Sequence, residues 1–485
     1  MTIKTLNALL LATASIAATA SLQSALADTL SDAVRPYVTV SEPHFALRHV
    51  RVIDGTGAPP LEDQVVLVSD GRITAVGPVP STKIPDGTKI IDLAGRTVIP
   101  GLVMMHEHLV YPTDRSATAE RMYPSHAITF PRLYLAAGVT TMRTAGTAEP
   151  MTDLNLKHEI EAGTSVGPDI DVTSSWMDAA PPLILQETPV RDAADARRQV
   201  QFWSAEGVTS FKVYMTLTRE PMAAVIDEAH KLGHKVAGHL CAVTAREAAE
   251  IGIDSLEHGL FAFTDFVPGK KVGECPDQDL TDKAMAGLDI ASEPVRDLIR
   301  TLIAHHVAVD STLAIFEPDA KHRPPLAKGT LDVLTPDAQV SYLVRRARIV
   351  DDPDDTGTIL LRKEMEFERE FVAMGGQLLA GTDPTGYGGV IAGFGNWRAL
   401  RLLAEAGFSG VEVIRIATLN GAHYLGQEDR IGSIAPGKQA DLVVIRGNPA
   451  VKMTDMDEVE MVFRRGLGYD SAKLISSARG LVGSR

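Results

Sequence analysis

At 485 residues, with 45% hydrophobic and 22% charged side chains, the chain is ordinary globular material, too long for one compact small domain. Its net charge of −15 is dispersed and basic runs are lacking, which argues against a nucleic-acid surface. Cys241 and Cys275 are the only cysteines, so disulfides do not define the fold, and nothing in their spacing demands a bridge.

The first residues read as an address. Lys4 gives a positive start, residues 6–22 are rich in Ala and Leu, and Ala25-Leu26-Ala27 is a small-x-small cleavage pattern before Asp28. Residues 1–27 are therefore expected to be a signal peptide and the mature protein to be periplasmic or secreted. A retained anchor is the alternative, but Thr and Ser interrupt the apolar stretch, which is short for a bilayer, and no later segment offers a stable membrane span.

Residues 43–100 have β texture. Residues 45–54 and 64–70 are strand-like, Asp70-Gly71 is a hairpin signal, and residues 72–77 return. From Gly101 the pattern changes to strand-like runs that alternate with helical stretches. After the run that ends at His106, strands are expected at 139–143, 169–172, 210–215, 235–239, 255–258, 307–312 and 377–380. Helices are expected at 197–206, 221–232 and 295–305 among others. Eight strands with helices between them imply a closed (β/α)8 TIM-like barrel over residues 101–425. Two insertions, 263–289 and 316–356, follow the sixth and seventh strands and are read as substrate lids, with mobile decoration as the alternative. The tail, residues 426–485, is strand-like again at 432–445 and 461–466, so the two ends are expected to form one small split β-sandwich domain.

The chemistry sits where the strands stop. His106 and His108 end a buried apolar run, and side chains two apart on a strand share a face, so both rings can reach one ion while Glu107 points away. Lys212 lies in Phe-Lys-Val-Tyr-Met, His239 ends Val-Ala-Gly-His, His258 lies in Ser-Leu-Glu-His-Gly, and Asp383 lies in Leu-Leu-Ala-Gly-Thr-Asp-Pro. Five strands that deliver such groups at one end build a site in the manner of a parallel barrel. Imidazole and carboxylate suit Zn²⁺ and its first-row neighbours, and mixed N/O sets with an open position are catalytic in kind. The ammonium of Lys212 would be repelled by two dications, so it must lose its charge or leave. Tyr214 shares the face of Lys212 and is expected to border the substrate, a packed phenol being the alternative. Arg143 ends the second strand and is assigned to a substrate carboxylate, although an internal salt bridge is the more frequent use. His230 and His234 mimic a helical zinc motif but lack its Glu, and Gly233 marks the helix end.

The run from Pro100 to Leu109, the Lys212 and His258 motifs and the segment 432–445, in that order, resemble the amidohydrolase superfamily of metal-dependent hydrolases. The resemblance covers residues 45–470 and looks most like the imidazolonepropionase-like and Xaa-Pro dipeptidase branch. It implies two divalent metal ions, zinc or else Mn²⁺, Co²⁺ or Fe²⁺, bridged by a carbamate on Lys212. His106 and His108 would take the more buried ion, His239 and His258 the more exposed one, and Asp383 would bind the buried ion and handle the proton. Where the branch often has an aromatic residue or a second histidine, two residues after His239, this chain has Cys241. The expected activity is hydrolysis of an amide or peptide-like C–N bond in a small-molecule substrate, a dipeptide or N-acyl amino acid, by a metal-activated hydroxide. Ester, lactone or organophosphate hydrolysis on the same site is the alternative, and a metal-binding protein without turnover is the rival from another class. A homo-oligomer is left open. Export predicts that protein recovered from the periplasm or medium begins at Asp28, and N-terminal sequencing checks it; a chain still carrying Met1 in the membrane fraction would make the segment an anchor.

Overall fold

The buried runs named above become eight parallel strands in the computed structural model, which describes residues 30–114, 121–181, 186–326, 328–385 and 389–483. The expected signal peptide lies outside the described residues. In chain order the barrel strands are Leu102–Glu107, Val139–Thr144, Asp169–Asp171 continued by Thr173–Ala179, Ser210–Val213, Lys235–Gly238, Ser255–Glu257, Ala308–Ser311 and Leu378–Ala380. Every residue of the first two is buried, as parallel strands covered on both faces must be. The third strand changes partner at Val172: Asp169 pairs with Thr141 of the second strand, and Thr173 pairs with Ser210 of the fourth. The ring closes where the backbone N–H groups of Thr382 and Asp383 each donate to the His106 carbonyl at 3.0 Å.

The covering helices form for local reasons. Asp192 caps Ala193–Glu206 by accepting from the Asp195 N–H, and Gly207 ends that helix at φ 106°, a conformation in which Cβ would be strained. Glu293–Ala304 buries Val295, Leu298, Ile299 and Leu302, one stripe at helical spacing, against the barrel.

Both ends of the chain meet in one sheet. Leu442–Arg446 runs antiparallel to Arg96–Pro100 with Val444 opposite Val98, and it joins Val459–Arg464 and Leu467–Asp470 to His44–Val52, Leu61–Ser69 and Arg72–Pro78. Phe45 stacks on Phe463 at 4.8 Å in a core of its own. Asp70 and Gly71 turn the hairpin with φ of 48° and 71°. The strand expected over 432–445 is shorter than its apolar texture suggests, because Gly437 at φ 91° turns the chain and only Leu442–Arg446 enters the ladder.

Both insertions contain helix. The first carries Gln278–Ala286, and the second carries Lys328–Val333 and Pro336–Asp351. The first is also tied to the fifth strand's end by a disulfide between Cys241 and Cys275, with Cα atoms 5.0 Å apart. The cysteine spacing did not demand this bridge, since the partners lie 34 residues apart and meet only because the insertion folds back across the barrel rim. Among the described residues no helix is long and apolar enough to cross a membrane.

Closure leaves no room beside Gly381. A Cβ there would lie 2.3 Å from the His106 Cβ and 2.8 Å from the His106 nitrogen. Gly381→Ala is therefore expected to force the eighth strand off the first and to cost about 1–3 kcal/mol, the usual range for overpacking. Denaturant unfolding measures it, and an unchanged midpoint would contradict so close an approach.

Candidate metal centre

Four histidine rings, Lys212 and Asp383 come together at the C-terminal rim of the barrel. The Nδ1 of His106 meets Glu257 Oε2, and that of His108 meets the Gly146 carbonyl at 2.9 Å. Carboxylate and carbonyl oxygens only accept, so both rings carry their proton on Nδ1 and turn the Nε2 lone pair inward. His258 Nδ1 lies 2.7 Å from Thr312 Oγ1. The inward Nε2 atoms surround one carboxylate: His108 is 3.2 Å from Asp383 Oδ1, and His106 and His258 are 3.8 and 3.9 Å from Oδ2. The His239 ring lies 4.4 Å from that of His258, and Lys212 Nζ is 3.7 Å from Glu257 Oε1. His258 and Asp383 hold φ of 68° and 50°, left-handed conformations that cost free energy in residues with a Cβ and cluster at functional sites.

Burial sets the protonation. It pulls the His106 imidazole down to about 4 and the His239 imidazole down to about 3, and it pushes His258 well below its ordinary value. All three are neutral at pH 7, as ligands must be. Burial also lowers Lys212 from the usual lysine range. For Asp383 burial acts the other way, but His106, His108 and His258, when they carry a proton on the side that faces it, outweigh burial and hold the carboxyl well below the usual carboxylate range. Neutral imidazoles around an ionised carboxylate suit a divalent cation, and His106, His108 and Asp383 offer ligand atoms within 4.8 Å of one another.

Arg143 is elsewhere employed, and its expected role is corrected. It is 1% exposed, and its five N–H groups are all used inside the barrel. Nε donates to the Met105 carbonyl at 2.7 Å, one terminal nitrogen to Ser255 and Tyr424 at 3.3 Å each, and the other to Glu257 at 2.9 Å and Asp310 at 3.1 Å. No fork is left for a substrate carboxylate. Tyr214 stays at the site, its ring 5.1 Å from that of His239 and 6.3 Å from that of Trp176. Trp176 in turn lies 5.7 Å from His108, and Phe316 stands 5.7 Å from His258.

Glu257 was not picked out from the sequence. It joins His106, Lys212 and Arg143, and the signal for it was a carboxylate immediately before a ligand in Ser-Leu-Glu-His. Glu107 does point away from the ligands, as strand alternation requires, but into a buried cradle where it accepts from Thr382 and, at 2.8 Å, from Asn396. His230 and His234 are outside the centre, paired with Asp254 and Ser204.

Residues 97–467 match the sequence pattern of the Amidohydrolase family. The chain belongs to that family. An imidazolonepropionase from Stenotrophomonas maltophilia (strain R551-3) is 36% identical over 104 residues, which are 21% of this amidohydrolase and 25% of that relative. The aligned stretch thus spans about a quarter of the curated relative's length. A solved Xaa-Pro dipeptidase with methionine bound in its active site superposes with a TM-score of 0.66 at 20% identity, over 88% of this chain and 100% of that one. Bottromycin amidohydrolase gives 0.67 at 22% identity, over 93% and 96%. At these identities the two structures speak for the fold.

The network around Arg143 makes a testable demand. Arg143→Met leaves Glu257 without its guanidinium and Asp310 without that donor, and removing one partner of such a buried pair costs about 3–5 kcal/mol. Denaturant unfolding is expected to show that loss, with any surviving activity reduced alike on carboxylate-bearing substrates and their amides. A KM rise confined to the carboxylate series would return Arg143 to substrate recognition.

Proposed function

We propose that this amidohydrolase is an exported binuclear metal-dependent hydrolase of amide or peptide-like C–N bonds, with a dipeptide or N-acyl amino acid as substrate. The observation that carries the reading is the convergence of three imidazole Nε2 atoms on one ionised carboxylate, Asp383, at the rim of the barrel. Two divalent ions, zinc or a first-row neighbour, held by His106, His108, His239, His258, Asp383 and a carbamate on Lys212, would supply an activated water and polarise the scissile carbonyl.

The protein's own groups do the rest. Only the neutral amine of Lys212 can attack carbon dioxide, losing a proton as the anionic carbamate forms, and burial moves the side chain towards that neutral state. Asp383, ionised and central, takes the proton of the water on a carboxylate oxygen and passes it to the leaving amine nitrogen. The Tyr214 phenol is pushed well above its ordinary value by burial and by Tyr123 and Asp383 nearby, so it stays protonated and can donate to the substrate. With Arg143 consumed in the barrel, capture of a substrate carboxylate falls to the insertions that follow the sixth and seventh strands. The Cys241–Cys275 disulfide supports export, since such bridges persist in oxidising compartments.

Elemental analysis of protein produced with zinc and bicarbonate is expected to find two metals per chain, and Lys212→Ala to lose metal and activity together. Asp383→Asn separates binding from chemistry, because the amide occupies the position but takes no proton at neutral pH. Turnover of a dipeptide panel is expected to fall by about 10² to 10⁴, with metal content only modestly reduced. One metal in the wild type, or Asp383→Asn turnover within a few-fold of it, would sink the mechanism.

A further inference from the structure

The third barrel strand ends in a carboxylate, Asp178, that the metal centre does not use. Trp176 pairs with Lys212 and Met177 with Val213, while Val213 pairs with Gly238. The ladder continues in the Tyr214 N–H donating to the Met177 carbonyl at 3.0 Å and the His239 N–H donating to the Val213 carbonyl at 3.2 Å, so Asp178, Tyr214 and His239 follow side by side. Asp178 shares the face of Trp176, whose ring lies 5.7 Å from that of His108, because residues two apart on a strand point the same way. Its row is therefore one step nearer the rim than the row of Lys212. Substrates reach a parallel barrel from this end.

Only one of the two carboxylate oxygens is satisfied. Oδ1 accepts from the N–H groups of Thr216 and Ala179 at 2.7 and 2.8 Å and from the Thr216 hydroxyl at 2.8 Å, which ties it to the loop after the fourth strand. Oδ2 has no hydrogen-bond partner among the described residues, although Asp178 is 0% exposed. A buried carboxylate oxygen without a donor costs free energy, so this one calls for a donor that arrives from outside. The groups that stabilise its charge are the Thr216 hydroxyl and the N–H groups of Ala179, Thr216 and Leu217, none of them a cation. Beside it stand the rings of Trp176 and Tyr214, 6.3 Å apart, and aromatic faces attract cations. A carboxylate flanked by rings suits an ammonium better than a neutral donor. Two dications in the centre would also repel an ammonium brought near them, and a carboxylate in the adjoining row offsets that repulsion. The α-nitrogen of a dipeptide, two bonds from the scissile carbonyl carbon, cannot avoid this neighbourhood. We propose that Asp178 binds the α-ammonium of the substrate, so that the enzyme takes dipeptides with a free N-terminus in preference to N-acyl amino acids. The inference rests on the hydrolase reading above and selects between its two substrate classes.

Alanyl-leucine and isobutyryl-leucine test it, since they share the scissile amide and nearly the same shape and differ in an ammonium against a methyl group. With the zinc-loaded enzyme, kcat/KM is read where the compounds turn over and calorimetric affinity where they do not. The wild type is expected to favour alanyl-leucine, and Asp178→Asn to cut that preference about ten- to hundredfold, the worth of a charge-assisted hydrogen bond. Asparagine keeps the Oδ1 acceptor for Thr216 and Ala179, so the loop stays tied. A wild type that treats the two compounds alike, or an Asp178→Asn variant that weakens both equally or keeps the preference, would overturn the proposal. Hydrolysis of both without preference leaves the hydrolase reading standing and removes the amine site. Tighter binding of alanyl-leucine that depends on Asp178, with neither compound hydrolysed, upholds the amine site and removes the hydrolase reading.

Discussion

His106 is where the fold and the site become one constraint. Its carbonyl accepts the N–H groups of Thr382 and Asp383, which closes the eighth strand on the first, and its Nδ1 is held by Glu257 from the sixth. Movement of any of these three strands therefore moves a candidate ligand. Gly381 is part of the same constraint, since only a residue without Cβ lets the eighth strand pass the His106 backbone and deliver Asp383 opposite the rings. The barrel supplies more than a scaffold here: its last hydrogen bonds set the spacing between the imidazoles and the carboxylate.

The charged layer beneath the rim follows from that arrangement. Glu257 cannot be buried beside His106 unless something balances it, and Arg143 does so while also reaching Asp310. The direction of each shift follows. Lys212, His106 and Arg143 outweigh burial and hold Glu257 well below the usual carboxylate range, whereas burial and the charge on Glu257 push Asp310 well above it. One guanidinium thus stabilises one ionised carboxylate and leaves the second to take a proton. Glu107 follows the same logic on the other face of the first strand, where burial pushes it up to about 8 and it stays largely protonated at neutral pH. The centre therefore sits over a layer whose net charge is close to neutral, as a buried layer must be.

What the sequence revealed and what it concealed divide along physical lines. Strand ends were legible because a parallel barrel buries both faces of each strand, so Leu-Val-Met-Met before His106 and Leu-Leu-Ala before Asp383 stand out as unbroken apolar runs with a polar stop. The six ligand candidates were legible for the same reason. Arg143 was misassigned because its place at a strand end says nothing about whether the side chain turns to the rim or down the barrel axis, and a long side chain can do either. The Cys241–Cys275 contact depends on the path of an insertion, which no local pattern encodes. The segment 432–445 read as one strand because its apolar content is high, although Pro436-Gly437 within it is a turn signal that should have divided it.

The correction at Arg143 also changes where specificity resides. An arginine at the second strand's end would have placed substrate recognition on the rigid barrel, with the ligands. With that side chain turned inward, the groups beside the centre are rings: Trp176 by His108, Tyr214 by His239, and Phe316 by His258. Trp176 and Tyr214 belong to the barrel strands and their immediate ends, whereas Phe316 opens the longer insertion and stacks on Phe261 at 3.4 Å. The rings and the carboxylate of the candidate centre are thus fixed by strand geometry, and part of the wall beside them is carried by an insertion. Such a division lets insertions change which C–N bond is presented while the hydrolytic centre beneath them stays the same.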